Sequence, residues 1–241
     1  MSKGRKVKNN VFYLVNISNS WYNINNIFSL DAFMIKIIFE NSNFVICEKD
    51  TGLLSEFSAS SPISLPLLLC KQLSLNELYT VHRLDKDVSG LIVYAKNSTA
   101  AAEISRQIND ADFNKEYIAI VSGKLDNSEG TLRDLLYHDK QKNKTYVVKK
   151  KRAGVKEAVL EYSVIDYDSV NDVSKLKIKL LTGRTHQIRV QFASRGHSIL
   201  GDRKYGSAIN IKPMRLHSHL ISFFNASTSE RITFTSTPSW I

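Results

Sequence analysis

The chain has 241 residues, 43% of them hydrophobic and 23% charged, with a formal net charge of +10 and a pI near 9.5. That length suits one large domain, or one domain and a short extension, and the composition suits a globular protein in water. The basic excess points to a polyanionic partner, of which nucleic acid is the usual one.

No apolar run approaches the ~18 residues of a membrane span. The basic start, Met-Ser-Lys-Gly-Arg-Lys, is not followed by the apolar core of a signal peptide, so a cytoplasmic protein is expected. The two cysteines, Cys47 and Cys70, lie in apolar segments without CxxC spacing, which fits reduced, buried thiols. The six histidines form no metal-ligand pattern, and no metal is expected.

Residues 1–33 are rich in Asn, Ser and Lys and read as a loosely docked arm, with one domain over 34–241. Regular patterning begins at Met34. Ile35, Ile37 and Phe39 alternate, Asn41-Ser-Asn43 makes a turn, and Phe44 to Cys47 form a second apolar run, so a strand pair is expected. The apolar stretch 63–70, flanked by Pro62 and Pro66, reads equally as a helix start or a packed loop. A strand follows at 91–95, then a helix capped by Ser98-Thr99 and running to Asn109.

Lys115 to Gly123 is apolar on both faces and reads as a central strand. Residues 159–167 and 175–181 predict two more strands. In the second, Leu176, Ile178 and Leu180 share one face, and Lys175, Lys177 and Lys179 a solvated one. A helix is expected from about Thr185 to Arg195, ended by Gly196, with short strands over 216–235. The pattern predicts an α+β domain around a largely antiparallel central sheet with flanking helices and loops.

Two polar clusters stand out. Val81-His-Arg-Leu-Asp-Lys-Asp-Val-Ser-Gly-Leu91 presents an acid, Asp85, beside a cationic pair and a Ser-Gly turn at the edge of a strand. A nucleophile or general base would sit in such a place, although a plain surface loop has the same composition. Far downstream, Thr182-Gly-Arg-Thr-His-Gln-Ile-Arg189 packs two arginines, a histidine and a glutamine at a strand-to-helix junction. That is the composition of a site wall.

The ordered set of motifs resembles the RluA family of pseudouridine synthases. The H-R-L-D-x-x-x-S-G-L element stands at 82–91, K-x-Y-x-A-x-V-x-G at 115–123, T-G-R-T-H-Q-I-R at 182–189 and G-H-x-I-L-G-D at 196–202, with Tyr205-Gly206 and Leu216-His217 after them. The resemblance covers about 34–235. It implies the pseudouridine synthase fold and isomerisation of specific uridines in structured rRNA or tRNA, without a cofactor.

In that scheme Asp85 attacks the flipped-out uridine, at its base or at ribose C1′. Tyr117 stacks on the base, Arg184 pairs with the catalytic acid, and Arg83 enters the RNA stack where the uridine left. His82 and Arg189 join the RNA-binding set. Physical chemistry agrees with the scheme. A cation within ~4–6 Å lowers an Asp pKa by about 1–3 units, and an aromatic face recovers ~1–3 kcal/mol of the stacking a flipped base gives up.

Some positions depart from the family pattern. Val88 stands where Thr is usual and Asp50 where Pro often follows, while Gln191 and Ser198 replace a common His and Pro. These bear on loop geometry and remove no catalytic group. Lysines and an arginine crowd residues 140–156, including Lys149, Lys150, Lys151 and Arg152, with Thr145 to Val148 as a short strand among them. A basic hairpin contacting phosphates fits, and so does a solvated loop.

The expected partner is RNA, with no DNA and no membrane, and a monomer is expected. The arm is too short for the S4-type module that many ribosomal RNA enzymes of the family carry, which favours a single catalytic domain reading a compact stem-loop. Two competing readings are a catalytically silent RNA-binding protein on the same fold and an RNA N-glycosidase.

Overall fold

A computed structural model describes residues 34–58, 63–225 and 228–241. The expected arm, 1–33, lies outside the described residues. The elements in chain order are β1 (Ile37–Glu40), β2 (Phe44–Lys49), α1 (Leu65–Gln72), β3 (Tyr79–Thr80), β4 (Ser89–Ala95), α2 (Ser98–Asn109), β5 (Asn114–Ser122), β6 (Glu129–Asp139), β7 (Lys144–Val148), β8 (Val155–Asp168), β9 (Val173–Leu180), α3 (Gln187–Ala193), β10 (Leu216–Phe224) and β11 (Arg231–Thr235). A 3₁₀ turn, Arg203–Tyr205, lies between α3 and β10.

All the strands join one eleven-stranded sheet, ordered β1-β2-β4-β10-β5-β9-β8-β6-β7, with β11 against β10 and β3 against β4. Every pairing is antiparallel except β4 with β10, which run parallel. This is the expected α+β architecture.

Side-chain alternation divides the core into two layers. On one face Val45, Cys47, Ile92, Tyr94, Tyr117, Ala119, Leu176 and Ile178 pack with Leu65, Leu69 and Cys70 of α1 and with Ile188 and Phe192 of α3. On the other, Phe44, Ile46, Leu91 and Val93 pack with Ala100, Ala101 and Ile104 of α2 and with Phe113 and Phe223. Both cysteines are free and buried. Burial raises both thiols, that of Cys70 to about 11, so neither is poised as a nucleophile.

Several elements differ from the sequence expectation in detail. The cap of α2 is Asn97, whose side chain accepts from the backbone N–H of Ala100. The stretch 63–70 resolves in favour of a helix, Leu65–Gln72, with Pro66 in its first turn, where a missing N–H costs nothing. The strand β6 carried no expectation, because Leu132 and Leu136 are its only fully buried apolar side chains and its register is fixed by pairing with β7 and β8. The helix α3 begins two residues later than expected, because His186 takes a left-handed conformation (φ 53°) and delays it.

The parallel contact between β4 and β10 explains the Ser-Gly of the first cluster. Gly90 has φ +109°, and a Cβ there would lie 2.3 Å from the carbonyl oxygen of Ser218. Only glycine lets the two backbones approach so closely. The neighbouring Ser89 hydroxyl is bonded to Nδ1 of His217 at 2.8 Å, which fixes the same crossing from the side-chain layer. Gly90→Ala is therefore expected to cost about 3 kcal/mol or more. Urea unfolding measures it, and a loss under about 1 kcal/mol would show that the crossing is not tight.

Candidate active site

Asp85 sits between β3 and β4, on a loop held from both ends. Leu84 and Val88 are buried in the core on either side of it. The Ser55 hydroxyl donates to the Leu84 carbonyl at 2.8 Å and accepts from the Leu84 N–H at 3.1 Å. Past the acid, Nζ of Lys49 donates to the carbonyls of Lys86 (3.0 Å) and Asp50 (2.9 Å), and the Gly52 N–H also reaches Lys86. Lys49 is fully buried at the end of β2. Burial lowers its amine to about 8, against the pull of Asp87, Asp85 and Asp50. A buried lysine spent on two carbonyls is a strut for the loop.

The carboxylate of Asp85 meets Arg189, whose Nη1 donates to Oδ2 at 2.9 Å. The rest of that guanidinium is clamped by Asp202, with Nε to Oδ2 at 2.6 Å and Nη2 to Oδ1 at 2.8 Å. Arg189 and Asp202 are 4% and 2% exposed. The bidentate clamp fixes the plane of the guanidinium, so the remaining nitrogen presents one directed donor to Asp85.

This corrects the expected pairing. Arg184 does not meet Asp85; its Nε donates to the Glu157 carbonyl on β8 at 2.9 Å. The left-handed turn at His186 separates the two arginines of the motif, and the one that enters the core is on α3. Arg189 was expected at the RNA surface and is instead buried in this clamp.

Tyr117, on β5, projects from the same sheet face as the core under Asp85. Burial raises its phenol, the Asp85 charge adds to that, and a hydrogen bond with Ser218 opposes it. Tyr117 is thus a neutral phenol near the carboxylate and no phenolate base. His186 lies on the other side, with Nε2 3.8 Å from Oδ2 of Asp85 and Nδ1 2.9 Å from the Tyr205 hydroxyl. The site is an acid held by a buried cation, walled by two phenols and an imidazole.

A model of the RNA pseudouridylate synthase family matches residues 43–194. That span contains Asp85, Tyr117 and Arg189, and it covers most of the chain. The chain belongs to the RNA pseudouridylate synthase family, and within it to the RluA type.

Relatives agree with this. An RNA pseudouridine synthase of Aquifex aeolicus is 35% identical over 76% of this chain and 60% of its own length. The ribosomal large subunit pseudouridine synthase D of Borreliella burgdorferi is 34% identical over 77% of this chain and 60% of its own. The chain thus spans about three fifths of those two relatives, but 90% of the dual-specificity synthase RluA of Salmonella typhimurium, at 29% identity over 82% of this chain. The solved structure of human RNA Pseudouridylate Synthase Domain Containing 1 shares the fold, with TM-score 0.74, 22% identity, and coverage of 86% of this chain and 85% of that one.

The remaining expected residues of this pseudouridylate synthase relative fall into two groups. Arg83 is exposed and, among the described residues, held by a surface ion pair with Glu56 at 2.7 Å, which costs little to break. Lys149, Lys150, Lys151 and Arg152 are exposed on the loop after β7. The Arg152 guanidinium lies over the Tyr137 ring at 4.8 Å.

His82, expected at the RNA surface, is buried against Phe113, and its Nε2 accepts from the Val93 N–H at 3.1 Å. Burial, with the Lys115 charge second, lowers it to about 3, so it stays neutral and cannot meet a phosphate as a cation. Sequence reasoning left Lys49, His186, Asp202 and Tyr205 out of the site. Asp202 had a signal, since it closes the G-H-x-I-L-G-D element, whereas nothing in the sequence marks Lys49 as buried.

The two arginines should respond differently to substitution. Arg189→Lys loses the bidentate clamp and leaves the buried Asp202 and the half-buried Asp85 under-bonded, an expected loss of about 3 kcal/mol. Arg184→Ala is expected within about 1 kcal/mol of the parent. Thermal or urea unfolding compares them, and equal losses would contradict the assignment of the buried partner.

Proposed function

We propose that the protein isomerises uridine to pseudouridine in a structured RNA, with Asp85 as the reacting carboxylate on a flipped-out nucleotide. The observation that carries this reading is the carboxylate itself, fixed by a buried Arg189–Asp202 clamp beside Tyr117 on a protein of net charge +10. A cleft built only to hold RNA gains nothing from an acid, which repels phosphate. The family and the relatives' names support an RNA substrate, and those names include both ribosomal RNA and tRNA enzymes.

The chemistry balances without a cofactor. The N1–C1′ bond of uridine breaks and a C5–C1′ bond forms, while C5 gives up its proton and N1 gains one. Cleavage develops positive charge on the ribose, which a carboxylate stabilises or traps, as in glycosidases. Arg189 directs the oxygens of Asp85, and Tyr117 offers a ring face and a neutral hydroxyl. Arg83 is free to leave Glu56 and fill the vacated stack. Lys115, on β5 two residues before Tyr117, has its Nζ 5.6 Å from the Phe113 ring centroid and no ion pair with an acid among the described residues, which suits a phosphate of the target strand.

RNA labelled with tritium at C5 of uridine tests this. The wild type should release tritium to solvent, and Asp85→Asn should release none while binding RNA within a few-fold of the parent. An active Asp85→Asn protein would sink the assignment, and a wild type that binds RNA without release would favour the silent RNA-binding protein.

The basic loop is read by salt. If Lys149, Lys150 and Lys151 contact phosphates, changing all three to Ala should make the slope of log affinity on log salt shallower by about 2, at ~0.7 per lost single-strand contact. An unchanged slope would mark them as merely solvated.

A further inference from the structure

We propose that His186 is a positioning residue for Asp85, locked in the Nε2–H tautomer by Tyr205 and joined through Thr145 to the basic hairpin β6–β7. The inference rests on the reading of Asp85 as the reacting carboxylate.

The tautomer follows from counting protons along the hydrogen bonds. The backbone N–H of Thr145 donates to the Tyr205 hydroxyl oxygen at 2.8 Å. That hydroxyl has one proton of its own, and Nδ1 of His186 lies 2.9 Å away. If Nδ1 carried hydrogen, the tyrosine oxygen would accept twice, and its own proton would be left only the Thr145 hydroxyl oxygen, which His138 already approaches at 3.1 Å. The Nε2 lone pair would also face the Asp85 carboxylate at 3.8 Å. With hydrogen on Nε2, each proton has an acceptor, and an N–H faces the acid instead of a lone pair. At 3.8 Å this is a directed dipole and not yet a hydrogen bond, so His186 acts on the orientation of Asp85 as the carboxylate moves.

The groups around His186 keep it neutral. Burial lowers it to about 4, Asp85 pulls it upward, and Arg189, Lys204 and His138 push it down. Protonation would require taking up a proton between these cations inside the wall, so His186 stays uncharged through pH 6–8.

Two further contacts tie the hairpin to the neighbours of His186, and a third lies within the hairpin. The Thr145 hydroxyl donates its single proton to the Thr185 carbonyl at 2.8 Å, so Nδ1 of His138, 3.1 Å from that oxygen, must be the donor to it. Nζ of Lys204 donates to the Asn143 carbonyl at 3.0 Å. The strands that lead into the exposed lysines are thereby tied to the residue before His186 and to the turn that carries Tyr205. RNA seated on the hairpin would bear on a hydrogen-bond chain that ends at His186, facing the carboxylate.

A purely structural role for His186 is separable. Its left-handed backbone (φ 53°) is one that Asn also adopts readily. His186→Asn keeps that backbone and offers Oδ1 to Tyr205, but has no donor at the place of Nε2. We expect this variant to fold, to bind RNA within a few-fold of the parent, and to lose about 10- to 100-fold in the single-turnover rate, the range for a hydrogen bond to a charged group. A rate within twofold of the parent would overturn the proposal. Tyr205→Phe should slow the reaction, and combining it with His186→Asn should be no worse than His186→Asn alone; fully additive losses would break the chain.

Long-range ¹H–¹⁵N spectra of the histidine-labelled wild type at pH 7 test the tautomer without any turnover. Hydrogen on Nε2 of His186 supports the proposal, and hydrogen on Nδ1 overturns it. A wild type without tritium release would refute the assigned reaction and leave this spectroscopic answer standing.

Discussion

A single buried guanidinium organises the site. Arg189 sits between two carboxylates, donating two hydrogen bonds to Asp202 and one from its remaining nitrogen to Asp85. Removing a cation and an anion from water costs several kcal/mol per ion, and directed charge-assisted bonds offset that only when the geometry is good. The protein meets this demand by building a rigid seat for each partner. The helix α3 carries Arg189, the turn after it carries Asp202, and the loop before β4 carries Asp85. Arg189 and Asp202 are 13 residues apart and Asp85 lies 104 residues before Arg189, and the clamp is where they meet.

The rest of the fold serves that meeting. The Lys49 strut, the Ser55 hydroxyl and the tight crossing at Gly90 restrain the Asp85 loop on three sides. The central strand β5 sets Tyr117 beside it, supported by β9 and β10. At the sheet edge, β7 carries the basic hairpin back toward His186. The result places a fixed carboxylate on a protein of net charge +10. Under the proposed function, the basic hairpin would meet the phosphate backbone and the carboxylate would face a ribose that becomes positive as its glycosidic bond breaks.

Much of this was readable in the residues. The alternation of Leu176, Ile178 and Leu180 with lysines placed β9, and the helix over Ser98–Asn109 was readable except for its cap, which is Asn97. Asp85 and Tyr117 lay in dense motifs. What failed was depth. Arg184 and Arg189 are five positions apart in one polar run, and only the backbone turn at His186 decides which enters the core. Side-chain chemistry cannot reveal that, because both arginines look equally fit for a carboxylate. His82 failed for the same reason: beside Arg83 it reads as surface, yet strand β4 draws it under Phe113. Strand β6 was silent because its half-solvated faces mix charge with leucine, and pairing rather than alternation defines it.

The central claim is that Asp202 and Arg189 act as one unit on Asp85. A double-mutant cycle on the single-turnover rate of tritium release tests it most directly, with Arg189→Lys, Asp202→Asn and the double variant. The account predicts a double variant hardly slower than the worse single one, a coupling of about 1–3 kcal/mol. Rate losses that add to within about 0.5 kcal/mol would contradict it, because independent residues behave that way.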